Sequence, residues 1–125
     1  MIVAGIGYRQ AATLADLQAA LALTGATPTA LASVAGKADG EVMVQLARNL
    51  NLPVIAVTEE QIADLDTATQ SARIKARFGT GSLAEAVALA GAGHGAAGAI
   101  AHLTVPRVQT DNGMATAAIA ERTTT

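Results

Sequence analysis

Two short stretches of this chain carry residue types suited to holding an anion. Ile2-Val3-Ala4-Gly5-Ile6-Gly7-Tyr8-Arg9 and Phe78-Gly79-Thr80-Gly81-Ser82-Leu83-Ala84-Glu85 each read as a strand running into glycines and then into a helix. Glycine turns of this kind expose backbone N–H groups beside a helix N-terminus, where carboxylates and phosphates bind favourably. Three basic residues fall at predicted loop ends: Arg9 after the first strand, Lys37 after the second, and Arg107 in the last hairpin loop. In a parallel sheet the carboxyl ends of neighbouring strands converge on one crevice, which lets Arg9 and Lys37 face a common anionic ligand beside residues 79–82.

Other chemistries fit less well. Gly79-x-Gly81-x-x-Ala84 matches the dinucleotide fingerprint, but it does not open the first βα unit, and the next acid after Glu85 is Asp111, too far on to hold a ribose. Gly93-x-Gly95-x-x-Gly98 follows a helix and precedes a strand, the wrong order for that mechanism. Gly36-Lys37 is followed by Ala38 and lacks the upstream glycine of a phosphate-binding P-loop. His94 and His102 stand eight apart without a carboxylate or cysteine at metal-ligand spacing, so no metal and no cofactor are expected. Ser82 lies outside a nucleophile elbow and reads as a helix N-cap, with Glu85 completing a capping box. The residues therefore define no catalytic pair, and a binding site is the leading reading.

The elements that must position these residues follow from hydrophobic period and cap signals. Ile2–Ile6 reads as a central strand. A helix follows from about Thr13, with Leu14, Leu17 and Leu21 on one face and Asp16 in the first turn. Ala30–Val34 reads as a second strand, and Asp39 as the cap of a helix carrying Met43, Leu46, Ala47 and Leu50. That helix stops at Asn51-Leu52-Pro53. Val54–Val57 makes a third strand, and the Thr58/Gln61 spacing starts a short helix through about Leu65. Residues 66–71 read as loop, Ile74–Phe78 as a further strand, and Ser82 starts a helix over Leu83, Ala86, Val87 and Ala90. Ile100–Val105 and Met114–Ala120 read as a hairpin turning at Asp111-Asn112-Gly113. Together these predict an α/β single layered domain over residues 1–120, a mostly parallel sheet flanked by helices with a C-terminal β-hairpin, and a flexible tail at 121–125. No internal repeat is present.

Composition narrows the function classes. With one Phe, one Tyr and no Trp, bases find no stacking platform, and the basic residues are scattered at a net charge of −2, which argues against nucleic acid. The absence of cysteine rules out a thiol nucleophile or thiolate metal site. The chain opens on a strand, without a basic region and apolar segment of signal-peptide form. Residues 86–105 carry no charge, yet Gly91, Gly93, Gly95 and Gly98 interrupt them and alanine contributes little apolar transfer energy, so they read as buried helix, loop and strand in a soluble cytoplasmic protein.

An ordered set of short segments resembles a known family. Gly5-Ile6-Gly7-Tyr8-Arg9 is followed by Ser33 and Lys37-Ala38-Asp39-Gly40-Glu41, then Leu50-Asn51-Leu52-Pro53 with Thr58-Glu59-Glu60. Gly79-Thr80-Gly81-Ser82-Leu83-Ala84-Glu85-Ala86 comes next, then Val105-Pro106-Arg107 with Ala115-Thr116-Ala117-Ala118-Ile119-Ala120. In this order, over nearly the whole chain, they resemble the CobE family of cobalamin-biosynthesis proteins, itself similar to the C-terminal domain of CbiG. Tyr8 stands where relatives often carry a small or cysteine residue, and Arg107 where lysine is frequent.

The resemblance implies a place in corrin-ring synthesis, near the ring-contraction stage, with a precorrin-type tetrapyrrole as ligand and other cobalamin-pathway enzymes as possible partners. The ligand-binding residues it and the glycine turns point to are Gly5, Gly7, Tyr8, Arg9, Lys37, Gly79, Thr80, Gly81, Ser82 and Arg107. Two alternatives stand beside binding. One is a hydrolase opening a precorrin ring-A lactone, with Asp39, Glu41, Glu85 or His94 as base; the other is a structural partner of pathway enzymes.

Overall fold

The computed structural model describes residues 1–63, 65, 67–78, 81–93 and 100–123. Along the chain run β1 (Ile2–Tyr8), α1 (Leu14–Thr24), β2 (Ala30–Val34), α2 (Glu41–Leu50), β3 (Val54–Val57), α3 (Glu59–Ile62), α4 (Ala72–Phe78), α5 (Leu83–Ala92), β4 (Ile100–Gln109) and β5 (Ala115–Thr123). The strands form one sheet in the order β3-β2-β1-β5-β4. β1 pairs in parallel with β2, and β2 with β3, whereas β5 runs antiparallel to both β1 and β4. The sheet is therefore mixed rather than mostly parallel. The C-terminal hairpin forms one side of the sheet, with β5 paired to β1 and β4 at the edge.

Alternation along the strands sends side chains into two cores. On one face Ala4, Ile6, Leu31, Ala117 and Ile119 meet Leu17 and Leu21 of α1 and Met43 and Leu46 of α2. On the other, Val3, Ala30, Ala32, Val57 and Ala120 meet Ile62 of α3 and the small residues Ala86, Val87, Ala88 and Ala92 of α5. Alanines let α5 lie close to the strands, and Gly5 completes the fit: a Cβ there would strike the Ala84 carbonyl oxygen and come within 2.6 Å of the Ala88 nitrogen.

Local signals set most helix ends. Thr13 and Asp16 form a reciprocal capping box at α1, with bonds of 3.2 and 2.9 Å, and Thr58 and Gln61 form another at α3. Asn51, in the left-handed region at φ 55°, ends α2, and its N–H reaches the Ala47 carbonyl. The N-cap of α2, however, is Gly40, without a side-chain bond, and not Asp39. α3 ends at Ile62 rather than near Leu65.

Three further expectations are corrected. Residues 74–78 belong to helix α4, not to a strand: Ser71 caps it, its hydroxyl accepting from Ile74 N–H at 3.4 Å and its carbonyl from Lys75 N–H at 2.9 Å. The basic residues at 73, 75 and 77 imitate a strand's alternation but here decorate a short exposed helix. β4 runs through Pro106 and Arg107 to Gln109, which places Arg107 on a strand rather than in the hairpin loop. Proline is tolerated there because β4 is an edge strand whose register shifts between Leu103 and Val105 and again between Val105 and Val108. β5 continues to Thr123, with Glu121 opposite Ile2 and Arg122 opposite Ala101, where a tail was expected from residue 121. Among the described residues, no helix is long and apolar enough to cross a membrane.

Candidate functional site

β1 and β2 end side by side, and the chain leaving each carries a basic residue. Beyond these carboxyl ends lies a cavity of about 220 Å³, closed by the start of α4, the start of α5, and the β4–β5 hairpin. Among the described residues four basic side chains line it, Arg9, Lys37, Arg73 and Arg107, and no Asp or Glu does. Val34, Ile74, Leu83 and Met114 supply an apolar wall, and Tyr8, Ser33, Ser71, Gln109 and Thr116 supply hydrogen-bonding groups. A concave surface with one sign of charge and an apolar wall is complementary to an anionic group attached to a hydrophobic body.

Two of these cations, Arg9 and Lys37, are held by their neighbours. Arg9 donates from Nε to the Gly113 carbonyl at 3.2 Å, and its N–H to the Met114 carbonyl at 2.9 Å, tying the end of β1 to the hairpin turn. That turn needs glycine, because residue 113 has φ 72°. Lys37 Nζ lies 4.8 Å from the centre of the Tyr8 ring, within cation–π range, while the Tyr8 hydroxyl donates to the Lys37 carbonyl at 2.6 Å. Burial, and to a lesser extent the charge of Asp39, pushes the Tyr8 phenol above its ordinary pKa, so it is a neutral donor at physiological pH. Gly40 leaves room for that hydroxyl, since a Cβ at 40 would collide with it. An ion pair of 2.7 Å between Arg77 and Glu59 links α4 to α3 at the surface.

The structure separates the expected residues. Gly7, Tyr8, Arg9, Lys37 and Arg107 all line the crevice. Gly5 and Gly7 lie within β1 rather than in a strand-to-helix turn, so their backbones are committed to the sheet, and Gly5 is packed under α5. Gly81 and Ser82 are buried at the start of α5 and do not line the crevice; Ser82 caps that helix, its hydroxyl accepting from Glu85 N–H at 3.4 Å. Gly79, Thr80 and His94 lie outside the described residues.

The Ser82–Glu85 box is only half formed. The Glu85 carboxylate, fully buried, turns away from the N-cap and accepts from Thr69 N–H at 2.8 Å, Thr69 Oγ1 at 2.7 Å and Arg107 N–H at 2.8 Å. Burial by itself pushes this carboxyl up; the main-chain N–H groups of Arg107 and Thr69, the Thr69 hydroxyl and the Ala68 main chain outweigh it and hold the group below the ordinary carboxylate range. Arg73 and Ile74 escape the sequence reading because 74–78 imitates a strand. Ser71 ahead of a run free of Gly and Pro is the cap signal that identifies their helix. Among the described residues, no group of three or more His, Asp or Glu converges where a metal could sit.

Comparison with known proteins matches residues 2–120 to the family model described as cobalamin synthesis G C-terminus. A solved structure of CobE, a protein from the cobalamin (vitamin B12) biosynthetic pathway, is similar with a TM-score of 0.84 and 32% identity, over 99% of this chain and 91% of that one. The cobalamin biosynthesis protein chiG from Agrobacterium tumefaciens str. C58 is similar with a TM-score of 0.69 and 32% identity, over 99% of this chain and 100% of that one. Comparison with curated proteins gave no match.

Proposed function

The chain belongs to the cobalamin synthesis G C-terminus family, and on that premise we propose that this cobalamin-biosynthesis protein binds a precorrin-type tetrapyrrole in the crevice beyond β1 and β2. The observation that carries the proposal is the convergence of Arg9, Lys37, Arg73 and Arg107 on one cavity that no carboxylate lines among the described residues. A precorrin carries acetate and propionate arms around an apolar macrocycle. Its arms suit the guanidinium and ammonium groups, and its ring edge suits Val34, Ile74, Leu83 and Met114. At about 220 Å³ the cavity is smaller than the ~300 Å³ at which enclosed sites for drug-sized molecules begin, so it takes one edge of the ring, not the whole.

The site favours holding over hydrolysis. Of the candidate bases, Glu85 is saturated with donors and held ionised, and Asp39 and Glu41 are exposed and do not line the cavity. Tyr8 is the chain's only tyrosine and there is no tryptophan, so its fluorescence reports on the crevice alone. Titration with uroporphyrin, an octacarboxylate tetrapyrrole, should quench it saturably. Replacing Lys37 or Arg73 by Ala should weaken binding about two- to tenfold each, the range expected for one partly solvated charge contact. Saturable quenching that neither variant alters would remove this site assignment.

A further inference from the structure

We infer that Glu85 is a positioning residue of the crevice: its buried carboxylate latches the main chain of Arg107 on β4 to Thr69 ahead of α4, and so sets Arg107 and Arg73 relative to each other. The inference rests on the binding proposed above and names a residue that does not itself line the cavity.

The latch has a geometric reason to exist. Arg107 falls where the β4–β5 register shifts, between Val105, opposite Ile119, and Val108, opposite Ala117, so the ladder provides its N–H no counterpart. Glu85, reaching from the first turn of α5, supplies that acceptor at 2.8 Å. Its other oxygen accepts Thr69 N–H at 2.8 Å, and the two oxygens together bridge β4 and the segment that leads into α4. Two residues after Thr69, Ser71 donates its N–H to the Gly81 carbonyl at 2.7 Å and caps α4, and two residues further stands Arg73. One carboxylate thus fixes, through short covalent links, two of the four cations of the crevice. Burying an ionised carboxylate carries a desolvation cost that hydrogen bonds must offset, and here the Thr69 N–H, the Thr69 hydroxyl and the Arg107 N–H supply them. A hydrophobic residue at 85 could fill the same space but would leave two half-buried N–H groups without this acceptor.

The test is a set of variants titrated with uroporphyrin and followed by Tyr8 fluorescence. Glu85→Gln keeps the shape but turns an NH₂ toward donors; Thr69→Val removes one bond and spares the fold if Glu85→Gln does not fold. Either variant should weaken binding about threefold to tenfold. Combined with Arg73→Ala and Arg107→Ala together it should add little further loss, because the latch acts through those two side chains, whereas combined with Lys37→Ala the losses should multiply. A folded variant with wild-type affinity, or one whose loss persists in full in the Arg73→Ala/Arg107→Ala background, would overturn the latch. Absence of wild-type binding would defeat the function proposed above instead, and the latch is then read without ligand. Glu85→Gln should shift the side-chain Nε resonances of Arg107 and Arg73, and unchanged resonances would refute it.

Discussion

Gly5 offers the sharpest quantitative test of how the crevice is built, because helix α5 rests on β1 at that residue. In Gly5→Ala the new Cβ would strike the Ala84 carbonyl oxygen and lie 2.6 Å from Ala88 N and 2.9 Å from Ala88 Cβ. Two of these three atoms are main chain and cannot rotate away, so α5 must rise by more than an ångström to bring all three to an ordinary 3.4 Å contact. That movement opens the packing of Val87, Ala88 and Ala92 against Val3, Ala32 and Ala120. Overpacking a tight interior costs about 1–3 kcal/mol, and backbone obstruction places this site at the upper end, about 3 kcal/mol. In a domain of this size that lowers Tm by about 12 °C, at about 4 °C per kcal/mol. Gly7→Ala is the internal control: its Cβ would meet the Thr116 hydroxyl at 2.7 Å, a side chain that can turn, so the loss should be about 1 kcal/mol. Thermal and urea unfolding of both variants decide the matter, with an unchanged urea m-value expected. A Gly5→Ala melting point within about 2 °C of wild type, or a loss no larger than that of Gly7→Ala, would refute the close packing of α5 on β1.

Other perturbations read different contacts. Because folding lowers the Glu85 pKa, the ionised group contributes stability that is full above its unfolded pKa and is lost as pH falls through the folded value; wild type should weaken steeply in acid, and Glu85→Gln, already weakened at neutral pH, should lose less on acidification. Equal acid slopes for the two proteins in chemical denaturation would contradict this. Folding raises the Tyr8 pKa, so phenolate absorbance should appear at higher pH than in the unfolded chain, and an alkaline titration that coincides in the two states would be the contrary result. Thr13→Ala removes one side of the α1 capping box and should cost about 1 kcal/mol in urea unfolding, against no measurable change if the cap contributes nothing. Raising salt should weaken uroporphyrin binding progressively, because Arg9 and Arg73 are exposed and their attraction is screened; salt-independent affinity would show that the apolar wall alone binds.

The legible parts of the fold were those with a local cause. β1, β2 and β3 show as short apolar runs, and α1 and α3 announce themselves through Thr13/Asp16 and Thr58/Gln61, each a signal complete within four residues. The position of β5 was not legible, because its seven-residue pairing with β1 joins segments more than a hundred residues apart and leaves no mark in either. Helix α4 was hidden by the alternation of Ile74, Ala76 and Phe78 with basic residues, which satisfies a strand's period as well as a helix's. That one misreading concealed Arg73. The carboxyl-end rule places Arg9 and Lys37 beside β1 and β2, where both line the crevice, and Arg107 lines it from β4 rather than from the hairpin loop. The glycines were read for their freedom to bind a ligand. At Gly5 the lack of a side chain serves the approach of a helix, a role only the packed structure reveals. Glu85 shows the same limit: S-x-x-E predicts a cap, and only tertiary contact with Arg107 and Thr69 draws the carboxylate elsewhere.

The most direct measurement mixes the purified protein with late precorrin intermediates, passes the mixture through gel filtration, and records the absorbance and mass of the pigment that travels with the protein. Retention of a pigment of unchanged mass by the wild-type chain, lost when Lys37, Arg73 and Arg107 are replaced together by Ala, is the result expected of a protein that holds a tetrapyrrole by its carboxylate arms. A pigment that elutes free, or is retained equally by the triple variant, would contradict that account, and a changed mass would show that the protein transforms its ligand.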